Sequence, residues 1–257
     1  MMRDNAILFI SHKISEKIID RFYRIMRAAH GFADIFFLTD INNDDTLRTV
    51  PKDITIIVFD WNSLKGIGYT PIFNDKIVPG SNHFILLWFY LNNPGYKFYW
   101  NIEYDVEYAG NWINLLNIVS SSDADFQTCC IRRSKYHQDW YWLWAYYSPS
   151  LKIHPCERII SFNPFYRISA RALSFLDLFL KQGSYGHHEV LIPTSLYYSG
   201  FKLEDLGGEG EFVRKECINK VYTINHYEPV KGSMRYRPVF LSDEIKRYKD
   251  LLCHPVK

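Results

Sequence analysis

Residues 100–106 read Trp-Asn-Ile-Glu-Tyr-Asp-Val and set two carboxylates, Glu103 and Asp105, two positions apart. On a strand, such residues face the same side, about 6.5–7 Å apart along the chain. Converging at a strand end, the pair can hold a hard divalent cation, Mn or Mg, which then neutralises a diphosphate. Open α/β sheets bind ligands outside the carboxyl ends of their strands, where this pair is expected. Solvated acids on an edge strand give the same tripeptide, but the flanking apolar residues weigh against that. His187-His188-Glu189 forms a second cluster, after Gly183–Gly186 and ahead of Pro193-Thr194. A glutamate in a partly apolar setting takes a raised pKa and can serve as a general base. The two histidines lack the H-x-x-x-H spacing of helical zinc sites, so ordinary hydrogen bonding competes with a site role for them.

Cations that can clamp phosphate oxygens lie near the carboxyl end. They are Arg235 and Arg237 in Arg235-Tyr236-Arg237-Pro238, and Lys257 in His254-Pro255-Val256-Lys257. Taken singly they are ordinary surface charge. Asp60 follows an apolar run and is a candidate contact for a nucleobase or ribose. The segment Trp140–Tyr147 reads WYWLWAYY. It is either a buried aromatic layer or a wall on which sugar rings stack their apolar faces. In the second case Trp140 and Trp142, with His188, are the acceptor candidates.

These groups need a scaffold, and the first third of the chain alternates strand and helix signals. Ala6–Ile10 is a short apolar run suited to a strand buried on both faces. Ser15 can cap a helix that lines up Ile18, Phe22, Ile25 and Ala29. Ala33–Thr39 and Thr55–Phe59 read as further strands, which suggests a βαβ unit and a parallel sheet. Residues 42–53 read as a connecting loop and residues 61–80 as a loop-rich interruption. A helix is expected from Ser81 to Leu91, and Tyr96–Val106 is expected as a central strand. A helix follows Gly110-Asn111, then a strand over Phe126–Ile131. Ile159–Ile168 reads as extended, a helix follows Ser169, and a last helix from Ser242 carries Ile245, Tyr248, Leu251 and Leu252. The fold class predicted is α/β, with a mixed, mostly parallel sheet flanked by helices. No linker divides residues 1–257, so one domain is expected, with residues 1–131 as a nucleotide-binding half and 132–257 as an acceptor-binding and carboxyl-terminal half.

Composition narrows the partners. Hydrophobic residues make up 47% and charged residues 23%, which fits a globular chain. Thirty Lys and Arg against 28 Asp and Glu leave a net charge of +2, without the dense basic stripe of a nucleic-acid binder. Five cysteines form no C-x-x-C pair, which favours reduced thiols over a zinc ribbon or redox dithiol. No secretory h-region precedes Ser11, and no apolar run approaches the ~20 residues of a spanning helix. A soluble, intracellular chain is expected.

Together, the parallel-sheet start, W-x-I-E-Y-D-V with G-x-W close behind, and H-E-x-x-x-P-T resemble nucleotide-sugar glycosyltransferases of the GT-A type. The nearest likeness is to the branching N-acetylglucosaminyltransferase and peptide xylosyltransferase group, and to small bacterial relatives ending in H-P-V-K. The resemblance implies a GT-A-like fold and transfer of a sugar, with inversion, from a nucleotide sugar to a hydroxyl of a glycan or glycolipid acceptor. It implies Glu189 as catalytic base, since Glu189 and Thr194 keep the family spacing. By position it implies Arg235, Arg237 and Lys257 at the nucleotide diphosphate, with Glu103 and Asp105 positioning the donor. GT-A enzymes usually show D-x-D where this chain has Glu103-x-Asp105, and the branching group also works without metal. Metal-dependent and metal-independent mechanisms therefore both stay open. The implied setting is the cytoplasm, with peripheral association at the inner face of the cell membrane, in polysaccharide or glycolipid synthesis. Two rivals remain from the residues alone. One is a non-catalytic carbohydrate-binding protein. The other is a metal-dependent phosphoester hydrolase using Glu103, Asp105, His187 and His188, if these meet in space.

Overall fold

The computed structural model describes residues 3–41, 44–136, 140–224 and 232–257. In chain order its elements begin with β1 (Asn5–Ile10), α1 (Glu16–Ala29), β2 (Ala33–Thr39), α2 (Asp44–Arg48), β3 (Ile56–Val58), α3 (Trp61–Lys65), α4 (His83–Asn92) and β4 (Phe98–Glu103). There follow β5 (Glu107–Tyr108), α5 (Trp112–Ser120), β6 (Phe126–Arg133), β7 (Tyr146–Tyr147), β8 (Ile159–Ser169) and α6 (Ala170–Lys181). The chain closes with β9 (Tyr185–Gly186), α7 (His188–Tyr198), β10 (Leu203–Asp205), α8 (Ser242–Ile245) and β11 (Leu252–Cys253).

Seven strands form one sheet in the order β10-β6-β8-β4-β1-β2-β3. Pairings β1–β2, β1–β4, β2–β3 and β6–β10 are parallel, while β8 runs antiparallel to β4 and β6. The expected mixed, mostly parallel sheet is present, and β4 is its central strand.

Alternation explains how a short apolar strand serves two cores. Ile7 and Phe9 of β1 pack with α1 and α5 residues such as Phe22 and Leu115. Ala6 and Leu8 face the other way, among α4, α6 and α7 residues such as Phe84, Leu173 and Leu191. Successive side chains of a strand point to opposite faces, so β1 must be apolar throughout. Ser15 caps α1 by accepting from Ile18 N–H at 3.4 Å. Ile18, Phe22, Ile25 and Ala29 then lie on its buried face, as the spacing predicts.

Several expectations change in detail. The central strand stops at Glu103, earlier than Val106. The expected loop 42–53 contains the short helix α2; residues 42 and 43 of it lie outside the described residues. The last helix is a single turn, and Leu252 pairs with Tyr108 as a strand instead. Its apolar stripe is short, and burial of Leu252 and Cys253 against β5 satisfies both backbone and side chains better than more helix would. Among the described residues no helix is long and apolar enough to cross a membrane.

Candidate active site

A cleft of about 570 Å³ opens at the carboxyl end of β4, and its walls bring together Glu103, Asp105, Trp140, Trp142, His188, Glu189 and Arg237. These residues come from segments spread over more than half the chain.

Glu103 is the last residue of β4, and Asp105 follows in the turn closed by Val106 N–H to Glu103 O at 2.9 Å. The two acids therefore converge through a turn rather than through strand alternation. A third group joins them from the carboxyl end. His254 Nε2 stands 3.5 Å from Asp105 Oδ1. One ligand atom each from Glu103, Asp105 and His254 lies within 4.8 Å of the other two. His254 Nδ1 lies 3.0 Å from the carbonyl of Arg235. A carbonyl only accepts, so Nδ1 carries a proton and Nε2 is the atom turned towards the carboxylates.

The charges of this trio are coupled. Burial pushes Glu103 up to about 7, against the pull of His254, with Asp105 adding to the rise. Burial also acts to raise Asp105, but its contact with His254 outweighs this and holds it below the ordinary carboxylate range. Burial alone would lower His254; Asp105 and then Glu103 reverse this and raise it.

Across the cleft, His187 caps α7, accepting from Glu189 N–H at 3.3 Å. Glu189 thus sits in the first turn of the helix, buried. Its Oε1 accepts from Asn163 N–H at 3.1 Å, and its Oε2 from the Tyr236 hydroxyl at 3.0 Å. Burial still pushes it up to about 7, against both hydrogen bonds. The same burial keeps the neighbouring imidazoles neutral: His187 falls to about 4, His83 to about 3, and His188 well below its ordinary value. Their rings form a pile, His187 lying 4.7 Å from Trp142 and 4.9 Å from His188. His188 Nδ1 has no hydrogen-bond partner, nor has either ring nitrogen of His83.

Three expected site residues stand elsewhere. Asp60 is exposed and caps α3, accepting from Ser63 N–H at 2.6 Å. Arg235 lays its guanidinium 3.6 Å from the Phe240 ring centre and donates from Nε to Pro238 O. Lys257 is exposed, and its main chain bonds Phe240 O and the Ser242 hydroxyl. None of the three lines the cleft.

Sequence reasoning missed His254 as the partner of Asp105, along with Asn163 and Tyr236 as the donors that hold Glu189. One signal was legible for Asn163. Pro164 follows it inside β8, and proline in a central strand marks a local break in pairing. The register between β6 and β8 does shift there.

A family model described as "Protein of unknown function (DUF3405)" matches residues 34–137, which include Glu103 and Asp105. No curated protein matches the chain. Among solved structures, the chain is similar to a Bacillus anthracis protein described as a glucose-1-phosphate thymidylyltransferase in complex with sucrose. That likeness has a TM-score of 0.45 at 10% identity, over 82% of this chain and 88% of that one. What the cleft can do is set by its own side chains.

Proposed function

We propose that the protein is a nucleotide-sugar-dependent glycosyltransferase that acts with inversion on a hydroxyl acceptor. The observation that carries this reading is the placing of Glu189, a buried carboxylate titrating at about 7, in one cleft with the Glu103–Asp105–His254 trio and Arg237. A general base works best with a pKa near the operating pH. Glu189 takes the proton of the acceptor hydroxyl as that oxygen forms its bond to the anomeric carbon. The bond from the anomeric carbon to the donor diphosphate breaks on the opposite face, and its electron pair leaves with the diphosphate. Arg237, lining the cleft, stabilises that growing charge. Arg235 and Lys257, outside the cleft, are proposed to add to the positive field around it. Asp60 is proposed to meet the nucleoside remote from the reacting centre. Trp140, Trp142 and His188 form the wall against which the acceptor sugar lies.

The trio fits a divalent cation, Mn or Mg. Asp105 Oδ1 is buried and meets His254 Nε2 at a long 3.5 Å, and carboxylate ligands suit Mg and Mn. A ligating histidine usually gives its other N–H to a carbonyl, as His254 does to Arg235. Bound there, the cation would neutralise the diphosphate; without it, Glu103 and Asp105 hold the donor through its sugar hydroxyls. Work at the inner face of the cell membrane, in the synthesis of polysaccharide or glycolipid, belongs to the same reading.

One observation favours a second reading. His187 and His188 share the cleft with Glu103 and Asp105, as a metal-dependent phosphoester hydrolase would require. Incubation with a panel of nucleotide sugars separates the alternatives. A glycosyltransferase releases nucleoside diphosphate, a hydrolase instead releases phosphate from p-nitrophenyl phosphate, and a non-catalytic sugar binder releases neither.

A further inference from the structure

We propose that the acceptor is an oligosaccharide, and that Trp144, Tyr147 and Tyr185 bind its sugars beyond the reacting one. The proposal rests on the glycosyltransferase reading and names the substrate class of that site. Trp144 is 67% exposed and Tyr147 51%, and Tyr141 of the same segment is 76% exposed. Large rings grouped in water mark a surface that something covers. The fold does not need them there, because Leu143 and Tyr146 of the same segment are buried and anchor it.

The segment is fastened to the helix that carries Glu189. Tyr146 pairs with Gly186, and His187 N–H donates to Ala145 O at 2.7 Å. A Cβ on Gly186 would stand 2.4 Å from Ala145 O, so glycine permits this close approach. Arg158 Nη1 holds the carbonyl of Leu143 from beneath. Tyr147 and Tyr185 pack against each other, tilted by 31° with ring centres 5.2 Å apart, across the β7–β9 pair. Trp142, stacked on His187, lines the cleft, and the same short segment carries Trp144 and Tyr147 onto the exposed surface. Beside Tyr147 a groove of about 460 Å³ adds Ser148, Lys152 and His154 to its wall. Aromatic faces set among hydrogen-bonding groups match a sugar chain, whose rings have apolar faces and hydroxyl rims. A lipid surface calls for several unengaged cations, whereas among the described residues of this groove Arg158 is taken up by Leu143 O and Ile153 O.

The test is a printed array of defined oligosaccharides of two to six sugars with their monosaccharides. It is probed with the wild-type protein, Glu189→Gln, and the combined Trp144→Ala, Tyr147→Ala, Tyr185→Ala variant. Circular dichroism checks the fold, and the single variants replace the triple one if it fails to fold. Wild type and Glu189→Gln should bind particular oligosaccharides at least tenfold more tightly than the monosaccharides, and the aromatic variants should lose that difference. Undiminished binding by the variants, or no oligosaccharide bound at all, overturns the proposal. Ring-dependent partition onto phosphatidylglycerol vesicles in place of sugar binding also overturns it, in favour of a lipid contact. Release of nucleoside diphosphate without oligosaccharide binding would sink this inference alone. Ring-dependent oligosaccharide binding without turnover of any nucleotide sugar would sink the glycosyltransferase reading instead.

Discussion

The Tyr236 hydroxyl donates to Glu189 Oε2 at 3.0 Å, across 47 positions of sequence. The bond ties the carboxyl-terminal segment to the proposed base and steadies the charged form of the carboxylate.

Glu189→Gln keeps the size of the side chain and removes its proton affinity. Turnover should fall by about 10²-fold or more, with nucleoside diphosphate affinity retained. Steady-state kinetics beside calorimetric titration of the nucleotide check this, and a near-normal rate would move the role to His188.

Because Glu189 titrates at about 7, the rate should rise with pH through that region as the base loses its proton. Tyr236→Phe removes a donor that favours the carboxylate. The acidic limb of the kcat profile should then move to higher pH. A limb that stays in place would assign it to another group.

Stability should show the opposite dependence on pH. Glu103 and Glu189 ordinarily titrate near 4.5, but both are raised to about 7 when folded. Between these values the folded chain keeps protons that the unfolded chain has released. Their stabilising effect is therefore full below about pH 4.5 and is lost as pH rises towards 7. Thermal melts of Glu189→Gln should gain on wild type at pH 8 and lose that advantage at pH 4.5. An equal difference at both pH values would contradict the buried, protonated carboxyl.

If the trio holds a cation, proton and metal compete for His254 and Glu103. Mn affinity should rise between about pH 5.5 and 8, and Glu103→Ala with Asp105→Ala should abolish it. Chelation should weaken nucleoside diphosphate binding to the same extent. Activity that survives chelation would place the enzyme in the metal-independent class.

Arg237→Ala should weaken nucleoside diphosphate binding by about ten- to a hundredfold, the scale of one hydrogen bond to a charged group. Lys257→Ala should act in the same direction but less, from outside the cleft. Removal of Val256 and Lys257 together should also lower the melting temperature. Val256 is buried, its N–H bonds Asp105 O at 2.9 Å, and its carbonyl accepts from Arg21 at 3.1 Å. A truncated chain with unchanged melting would show that the tail is not packed as described.

Local patterns foretold the layers of this molecule. The apolar run at Ala6–Ile10, the Ser15 cap and the stripe from Ile18 to Ala29 are short-range features, and helix or strand formation reads them directly. Glu103, Asp105 and Glu189 stood out because their neighbours are apolar, and the first two are half-buried while Glu189 is buried. Other relationships depend on segments far apart in sequence. His254 reaches Asp105 only because Leu252 and Cys253 pair with β5, a contact that no local signal announces. Asn163 reaches Glu189 because β8 breaks register beside β6. Asp60, read as a nucleoside contact, also caps α3, since the same short carboxylate suits either task. Sequence alone determined the order of the main strands and helices and the apolar faces of β1 and α1, because patterning and propensity act over a few residues. Only the tertiary structure decided which polar groups meet, because a hydrogen bond or ion pair has a reach of ~3–4 Å and partners come together through chain closure.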